Sequence, residues 1–215
     1  MRTRRQKVTD DEVFAAAQRA MMRRGPHELT LADIGAEAGV TAGRLVQRYG
    51  GKRELLLALS ARFAHSAEPI FAGLRSAHGT PLATLRAYAA CMADLAPTPD
   101  ALLRNLAYLQ LDLADAALRS HLVDNARATR RQIEKLIRAA VAAGELHDGA
   151  DERSLARIVE TVISGSLMTW ACYQEGLARE WIRRDLEAVL RPHLSDRPGT
   201  SSPTRGPRAK GRRAR

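Results

Sequence analysis

The sequence predicts an all-α protein in which a small N-terminal helical unit precedes a larger helical one, and three observations carry that reading. Hydrophobic residues fill 45 % of the 215 positions but aromatics only 4 %, with alanine and leucine supplying most of the rest, a composition that favours helix over strand. Apolar residues recur at three- and four-residue spacing along most of the chain, and no alternating strand-like run or internal repeat interrupts them. Capping residues precede many of these runs, and glycine or proline follows them.

Thr9-Asp10-Asp11-Glu12 has the capping-box form, in which a hydroxyl takes one orphan amide and a carboxylate reaches back to another. It predicts a first helix over about residues 10–24, with Val13, Phe14, Ala17, Ala20 and Met21 on one stripe and Gly25-Pro26 as its stop. Thr30 caps a second, short helix carrying Leu31, Ile34 and Ala38, and Gly39 stands where such a helix ends with positive φ. Thr41 caps a third that carries Leu45 and ends at Tyr49-Gly50-Gly51; Gly35, lacking a side chain, lets the second and third axes approach. Lys52 opens a fourth helix through Leu55, Leu56, Leu59 and Phe63. Gly73 to Gly79 weakens the helical pattern, and Thr80-Pro81 restarts it. Leu82, Leu85, Tyr88, Met92 and Leu95 then line a fifth helix that Ala96-Pro97-Thr98-Pro99 ends. Asp100 to about Leu113 and about Ala116 to Ala143 supply the sixth and seventh, and Asp151–Glu175 and Ala178–Leu190, split at Gly176, supply two more.

The net charge of +10 is concentrated at the two ends. Arg2, Arg4, Arg5 and Lys7 sit at the start; Arg197, Arg205, Arg208, Lys210, Arg212, Arg213 and Arg215 sit at the end; residues 8–196 between them sum to −1. The expected organisation is a basic arm (1–8), a helix-turn-helix unit (9–55), a helical ligand-binding and dimerisation unit (56–195) and a basic tail (196–215). The tail, rich in Pro, Gly, Ser, Thr and Arg, cannot bury enough to offset chain entropy and is expected to be disordered. Basic arms of this kind meet polyanions. The N-terminal one is suited to a minor groove or to phosphates, the C-terminal one to generic polyanion affinity or to operator affinity.

Residues 31–45, Leu-Ala-Asp-Ile-Gly-Ala-Glu-Ala-Gly-Val-Thr-Ala-Gly-Arg-Leu, read as helix, glycine corner, helix. The second helix is short, capped by a hydroxyl and polar on its outward side, as entry into a major groove about 12 Å wide demands. On the corner alone, an ordinary helical corner fits equally well. With its flanks, including Tyr49-Gly50-Gly51-Lys52-Arg53-Glu54-Leu55-Leu56, the stretch resembles the TetR family of one-component transcriptional regulators over residues 9 to about 60. Beyond that, the resemblance lies only in helix number, length and order.

The resemblance implies a hydroxyl on DNA phosphate at Thr30 and a phosphate-binding lysine at Lys52. It puts Thr41, Ala42, Gly43, Arg44, Gln47 and Arg48 on the groove side of the recognition helix. Arg44 can fork to guanine and Gln47 to adenine, each pair worth about 1–3 kcal/mol of discrimination. Arg48 can do likewise or hold a phosphate. Val46 stands where the family has a tyrosine on the DNA backbone and is suited to a thymine methyl, and Gly51 replaces the usual polar cap.

The resemblance also implies an effector pocket among the fourth to eighth predicted helices. Phe63, Tyr88, Cys91, Met92, Leu106 and Leu109 are candidate lining residues, as are Leu113, Ile133, Ile137, Met168 and Cys172; plain core packing is the alternative for each. Gln110, His121 and Thr169, with the Tyr88 hydroxyl, are polar candidates for orienting a small hydrophobic or aromatic ligand. Val162, Ile163, Ser166 and Trp170 on one late helix, and Trp181, Leu186 and Val189 on the next, are the expected homodimer interface. Its physical purpose is to hold two recognition helices about 34 Å apart on a palindromic site.

Cys91 and Cys172 are too few for a disulfide framework or a four-thiolate zinc site and read as buried thiols in a reducing cytoplasm. No run approaches the roughly 18 uncharged apolar residues of a membrane span. The six histidines lack metal-ligand spacing, and neither a phosphate-binding loop, a Gly-x-Ser-x-Gly nor a dinucleotide fingerprint is present, so no metal, cofactor or catalytic residue is assigned. The expected function is a ligand-released, DNA-binding repressor acting as a homodimer. The rival expectation is a helical small-molecule-binding protein or enzyme whose basic arms do not read DNA sequence.

Overall fold

The computed structural model describes residues 8–149 and 151–195; the basic arm before Val8 and the tail from residue 196 lie outside the described residues. Within them are ten α-helices: α1 (Asp10–Arg23), α2 (Leu31–Ala38), α3 (Ala42–Tyr49), α4 (Lys52–Phe63), α5 (Ala67–Ala77), α6 (Pro81–Asp94), α7 (Pro99–Ala114), α8 (Ala116–Ala142), α9 (Glu152–Tyr173) and α10 (Ala178–Leu190). Leu146 and Leu194 form an isolated antiparallel bridge that ties the α8–α9 turn to the chain after α10.

The caps act as their residue types predict. Thr9 and Glu12 complete the first capping box, Thr80 and Thr98 cap α6 and α7, and Asp115 and Asp151 accept the first amides of α8 and α9. The one helix absent from the sequence expectation is α5, which runs through Gly73. Phe71 explains it: the ring is fully buried, its centroid 4.5 Å from that of Tyr88, and Leu74 packs against the same cluster. Pro69 falls in the first turn, where amides have no intrahelical acceptor to lose, and Gly73 faces open solvent. Burial of one aromatic outweighs the roughly 1 kcal/mol that a mid-helix glycine costs.

Two buried clusters organise the molecule. The smaller joins α1 to α4 through Val13, Ala17, Leu29, Ile34, Leu45 and Leu55. Leu56, Leu59 and Tyr108 also belong to it, although all three lie beyond the expected boundary at residue 55. The larger is built from α5, α6, α8, α9 and α10, with Phe71, Leu85, Ile133, Ile137, Ile163 and Leu186 at its centre. Tyr108 is thus a side chain of α7 inserted among helices of the N-terminal unit. Its hydroxyl donates to the Arg24 carbonyl at 2.9 Å, Arg104 Nε donates to the Met22 carbonyl at 2.9 Å, and Arg53 Nη2 meets Asp115 Oδ2 at 2.7 Å. The first two bonds satisfy carbonyls at the C-terminal end of α1.

Burial pushes the Tyr88 and Tyr108 phenols up to about 12, and Tyr49 reaches about 12 through burial and its bond to Asp10. A folded value above the ordinary 10 means that the unfolded chain releases these protons first. Their contribution to stability is therefore complete below pH 10 and is lost as pH rises from about 10 to about 12. Tyrosinate absorbance and helical circular dichroism, followed together, are expected to change in one coupled alkaline transition. Ionisation of these tyrosines near pH 10 with the helices intact would contradict it.

Candidate nucleic-acid interface

The α2–α3 corner is assembled by local hydrogen bonds. The Thr30 hydroxyl accepts from the Asp33 amide at 3.2 Å and donates to Asp33 Oδ2 at 2.6 Å, while the Thr30 amide donates to the same oxygen at 2.9 Å. These bonds from the Thr30 side chain and backbone hold the Asp33 carboxyl below its ordinary range. Gly39 closes α2 at φ +68°, and the Val40 amide returns to the Gly35 carbonyl at 2.9 Å. At Gly35 a Cβ would stand 2.6 Å from the Val40 carbonyl oxygen and 3.3 Å from the Ala42 amide, so only glycine fits. Thr41 then caps α3 by accepting from the Arg44 amide at 3.3 Å.

Leu45, 1 % exposed, anchors α3 in the small cluster. Thr41, Gly43, Arg44, Val46, Gln47 and Arg48 are exposed, and Ala42 is half-buried at the helix start. Grooves of about 270 and 230 Å³ flank Arg44, the first walled by Val8, Val40, Gln47 and Arg48, the second by Gly35, Gly39 and Thr41. Neither Arg44 nor Gln47 makes a side-chain hydrogen bond among the described residues, so both heads are available to base edges.

Two of the residues expected on DNA also hold contacts within the chain. Lys52 Nζ donates to the carbonyls of Pro26 at 2.9 Å and Leu29 at 2.8 Å, stitching the start of α4 to the α1–α2 turn. Arg48 Nη1 donates to the Val8 carbonyl at 2.6 Å, and Nη2 meets Asp10 Oδ1 at 2.7 Å. Each partner lies more than twenty residues away in sequence, so no local pattern announces either contact. Thr30 keeps its place at the start of α2, with its hydroxyl proton given to Asp33.

The expected effector-pocket residues differ in burial. Ile133, Ile137 and Tyr88 are buried in the large cluster, and Met92 packs on its edge. Phe63, Leu109, Gln110, Leu113, Met168, Thr169 and Cys172 face solvent, while Cys91, Leu106 and His121 are half-buried. Helical periodicity finds an apolar face but does not say which neighbour covers it, and here some faces are covered by core and others by nothing among the described residues. Cys172, expected to be buried, is exposed. One of the expected pocket residues, Phe63, lines a cleft of about 440 Å³ between α1, α4 and α5, together with Phe14, Arg62, His65 and Pro69.

The expected dimer residues divide in the same way. Ile163, Ser166, Trp170 and Leu186 are buried where α9 packs on α10 within one chain, and Ser166 Oγ donates to Asp185 Oδ2 at 2.8 Å. Trp170 and Trp181 donate their indole N–H groups to the Gly176 and Glu175 carbonyls in the intervening turn, and Val162, Trp181 and Val189 are half-buried. The uncovered face of α9 is a different stripe, Ile158, Thr161, Gly165, Met168 and Cys172. Its mixed apolar and small residues lack the contrast that singled out the other face.

No group of three His, Cys, Asp or Glu side chains among the described residues can hold a metal ion, and no described helix is long and apolar enough to cross a membrane. A family model for bacterial regulatory proteins of the tetR family matches residues 13–59, and one for the tetracyclin repressor-like C-terminal domain matches residues 83–186. Solved structures share the fold. SmeT, the repressor of the Stenotrophomonas maltophilia multidrug efflux pump SmeDEF, is 23 % identical, with 88 % of this chain and 92 % of that one covered and a TM-score of 0.61. Reduced Escherichia coli NemR is 14 % identical (87 % and 99 % covered, TM-score 0.70). Bacillus subtilis FadR, solved with stearoyl-CoA, is 18 % identical (84 % and 97 % covered, TM-score 0.62). No curated protein sequence matches the chain.

Proposed function

Because the chain belongs to the TetR family of bacterial regulatory proteins, we propose that it is a cytoplasmic, ligand-responsive transcriptional repressor that reads a palindromic operator as a homodimer. The observation that carries the DNA-reading role is α3 itself: Leu45 and the Gly35 corner fix it on the small cluster, while Arg44 and Gln47 are exposed and their heads make no hydrogen bond among the described residues. Residues 9–55 form the reading unit, and residues 56–195 bind the effector and the second copy. The exposed α9 stripe of Ile158, Gly165, Met168 and Cys172 is the surface suited to that copy, since the residues beneath it are spent on α10.

Release follows from linkage. A ligand that binds better to a body with wrongly spaced reading units draws the population off DNA, with coupling of about 1–3 kcal/mol. Tyr108, Arg104 and the Arg53–Asp115 pair, together with α4, are the ties through which a change in the body reaches α1 and α3. FadR with stearoyl-CoA supports a small-molecule effector with a large apolar part. With Tyr88, Ile133 and Ile137 closed into the core, room for such a ligand comes from separation of the body helices.

Selection from a random duplex pool tests the reading. The intact chain is expected to return a palindromic consensus with half-sites about one helical turn apart. Arg44→Ala is expected to relax one base position in each half-site and to cost about 1–3 kcal/mol per reading unit. Enrichment without a consensus, or an unchanged consensus with Arg44→Ala, would remove it.

A further inference from the structure

We propose that the cleft between α1, α4 and α5 is a small-molecule site for a flat aromatic carboxylate, its ring laid against Phe14 and Phe63 and its carboxylate on Arg62. Of the residues first expected to line an effector pocket it takes only Phe63. The proposal does not depend on what α3 reads.

At about 440 Å³ the cleft falls within the range of ligand sites. Its apolar walls come from three helices: Phe14 and Ala15 of α1, Leu59 and Phe63 of α4, and Pro69 of α5. Leu59 is 8 % exposed and belongs to the small cluster, so that wall is fixed by packing. Phe63 is 46 % exposed although it lines the cleft, so a ring laid against it removes apolar surface from water without disturbing the core. A ligand seated here touches α1, which belongs to the small cluster, and α5, which belongs to the large one.

Arg62 sets the charge preference. Its guanidinium carbon lies 5.9 Å from the Phe14 ring centroid, and Nη1 donates to Asp11 Oδ1. The side-on fork of Nε and Nη2 makes no hydrogen bond among the described residues, and such a fork matches the two oxygens of a carboxylate. The pair with Asp11 is well exposed on both sides, so it contributes little that a ligand would have to replace. Other donors line the same cleft. The Ser66 hydroxyl accepts from Asn125 Nδ2 at 3.2 Å and keeps its own proton to give. Gln18 and His65 are exposed, and their side chains make no hydrogen bond among the described residues. Asp11 is the single acid among the lining residues, and it already faces Arg62. Apolar walls with an excess of donors fit an anion that carries a flat apolar body.

An NMR titration of the full chain with cinnamate tests the assignment, with cinnamyl alcohol as the uncharged counterpart and melting curves to establish that each variant is folded. Cinnamate is expected to saturate with a Kd on the order of 1 mM, and the alcohol to bind at least about fivefold more weakly. Arg62→Lys keeps the charge but loses the fork; it is expected to weaken cinnamate about tenfold and to erase most of the preference for acid over alcohol. Phe63→Ala is expected to weaken cinnamate about fivefold by removing one wall. Asp11→Asn removes the competing carboxylate and is expected to tighten cinnamate about threefold, a gain that a misfolded variant could not give. No saturable binding up to about 10 mM, an alcohol that binds as tightly as the acid, or binding that Arg62→Lys and Phe63→Ala leave unchanged would overturn the proposal. None of these measurements uses DNA, so a duplex selection without a consensus strikes the reading of α3 alone, and a failed titration strikes this site alone.

Discussion

Replacing Phe71 by alanine is expected to cost about 3–5 kcal/mol of stability, the range for deleting a fully buried aromatic. The ring is 0 % exposed and lies 4.5 Å, centroid to centroid, from Tyr88, and it is the large buried side chain through which α5 enters the body. Its loss leaves a void bordered by α6 and α8 as well as by α5, so the surroundings cannot collapse by moving one side chain. The polar links from α5 do not compensate. Gln132 of α8, 5 % exposed, donates to Glu68 and accepts from Arg75 at 3.0 Å, and both α5 partners are solvent-exposed. Against a total of about 5–15 kcal/mol, such a loss brings the body close to unfolding at ambient temperature. Urea unfolding measures it, and Phe71→Leu, which keeps most of the volume, is expected to recover more than half of the stability. A loss below about 1 kcal/mol would mean that Phe71 does not dock α5.

Gly35→Ala is expected to abolish operator binding while leaving the body folded. The new methyl would stand 2.6 Å from the Val40 carbonyl oxygen, a backbone atom held in the turn by the neighbouring Gly39 at φ +68°. Relief requires α2 and α3 to move apart, at a cost of about 1–3 kcal/mol for overpacking, offset by up to about 1 kcal/mol from alanine's helix propensity. The net effect on stability is modest because the small cluster retains its apolar residues. The effect on DNA is large, because Arg44 and Gln47 are aimed by the angle of the corner and a bidentate contact tolerates little displacement. Measured together, operator affinity is expected to fall at least about a hundredfold while the urea midpoint moves little. Retention of affinity with a lowered midpoint would show that α3 is not aimed by this contact.

How much of this was legible from the residues depends on the range of the interaction that decides it. Thr9, Thr30, Thr41, Thr80 and Thr98 fix helix starts through bonds to amides three residues on, and Gly39 and Gly144 mark ends by tolerating positive φ, whereas α9 ends on Gln174 at φ +55°, two residues before the expected Gly176. The exposure of the residues around Leu45, from Thr41 to Arg48, follows from the same arithmetic, because anchoring Leu45 inward leaves the other side of a short helix outward; that this side meets a groove is what the family resemblance implies.

The amino-acid sequence by itself therefore determined nine of the ten described helices, the tight α2–α3 corner and the side chains that α3 presents, all through contacts spanning a few residues. Tertiary structure alone decided the rest. It made α5 a helix by burying Phe71 against Tyr88, drew Tyr108 of α7 into the N-terminal cluster, and turned one stripe of α9 onto α10 while leaving the other uncovered. It also set Lys52 and Arg48 against carbonyls of the chain itself. The physical reason is that a cap or a stripe is satisfied within one helical turn, whereas a lysine or arginine takes whichever acceptor the folded chain brings within about 3 Å.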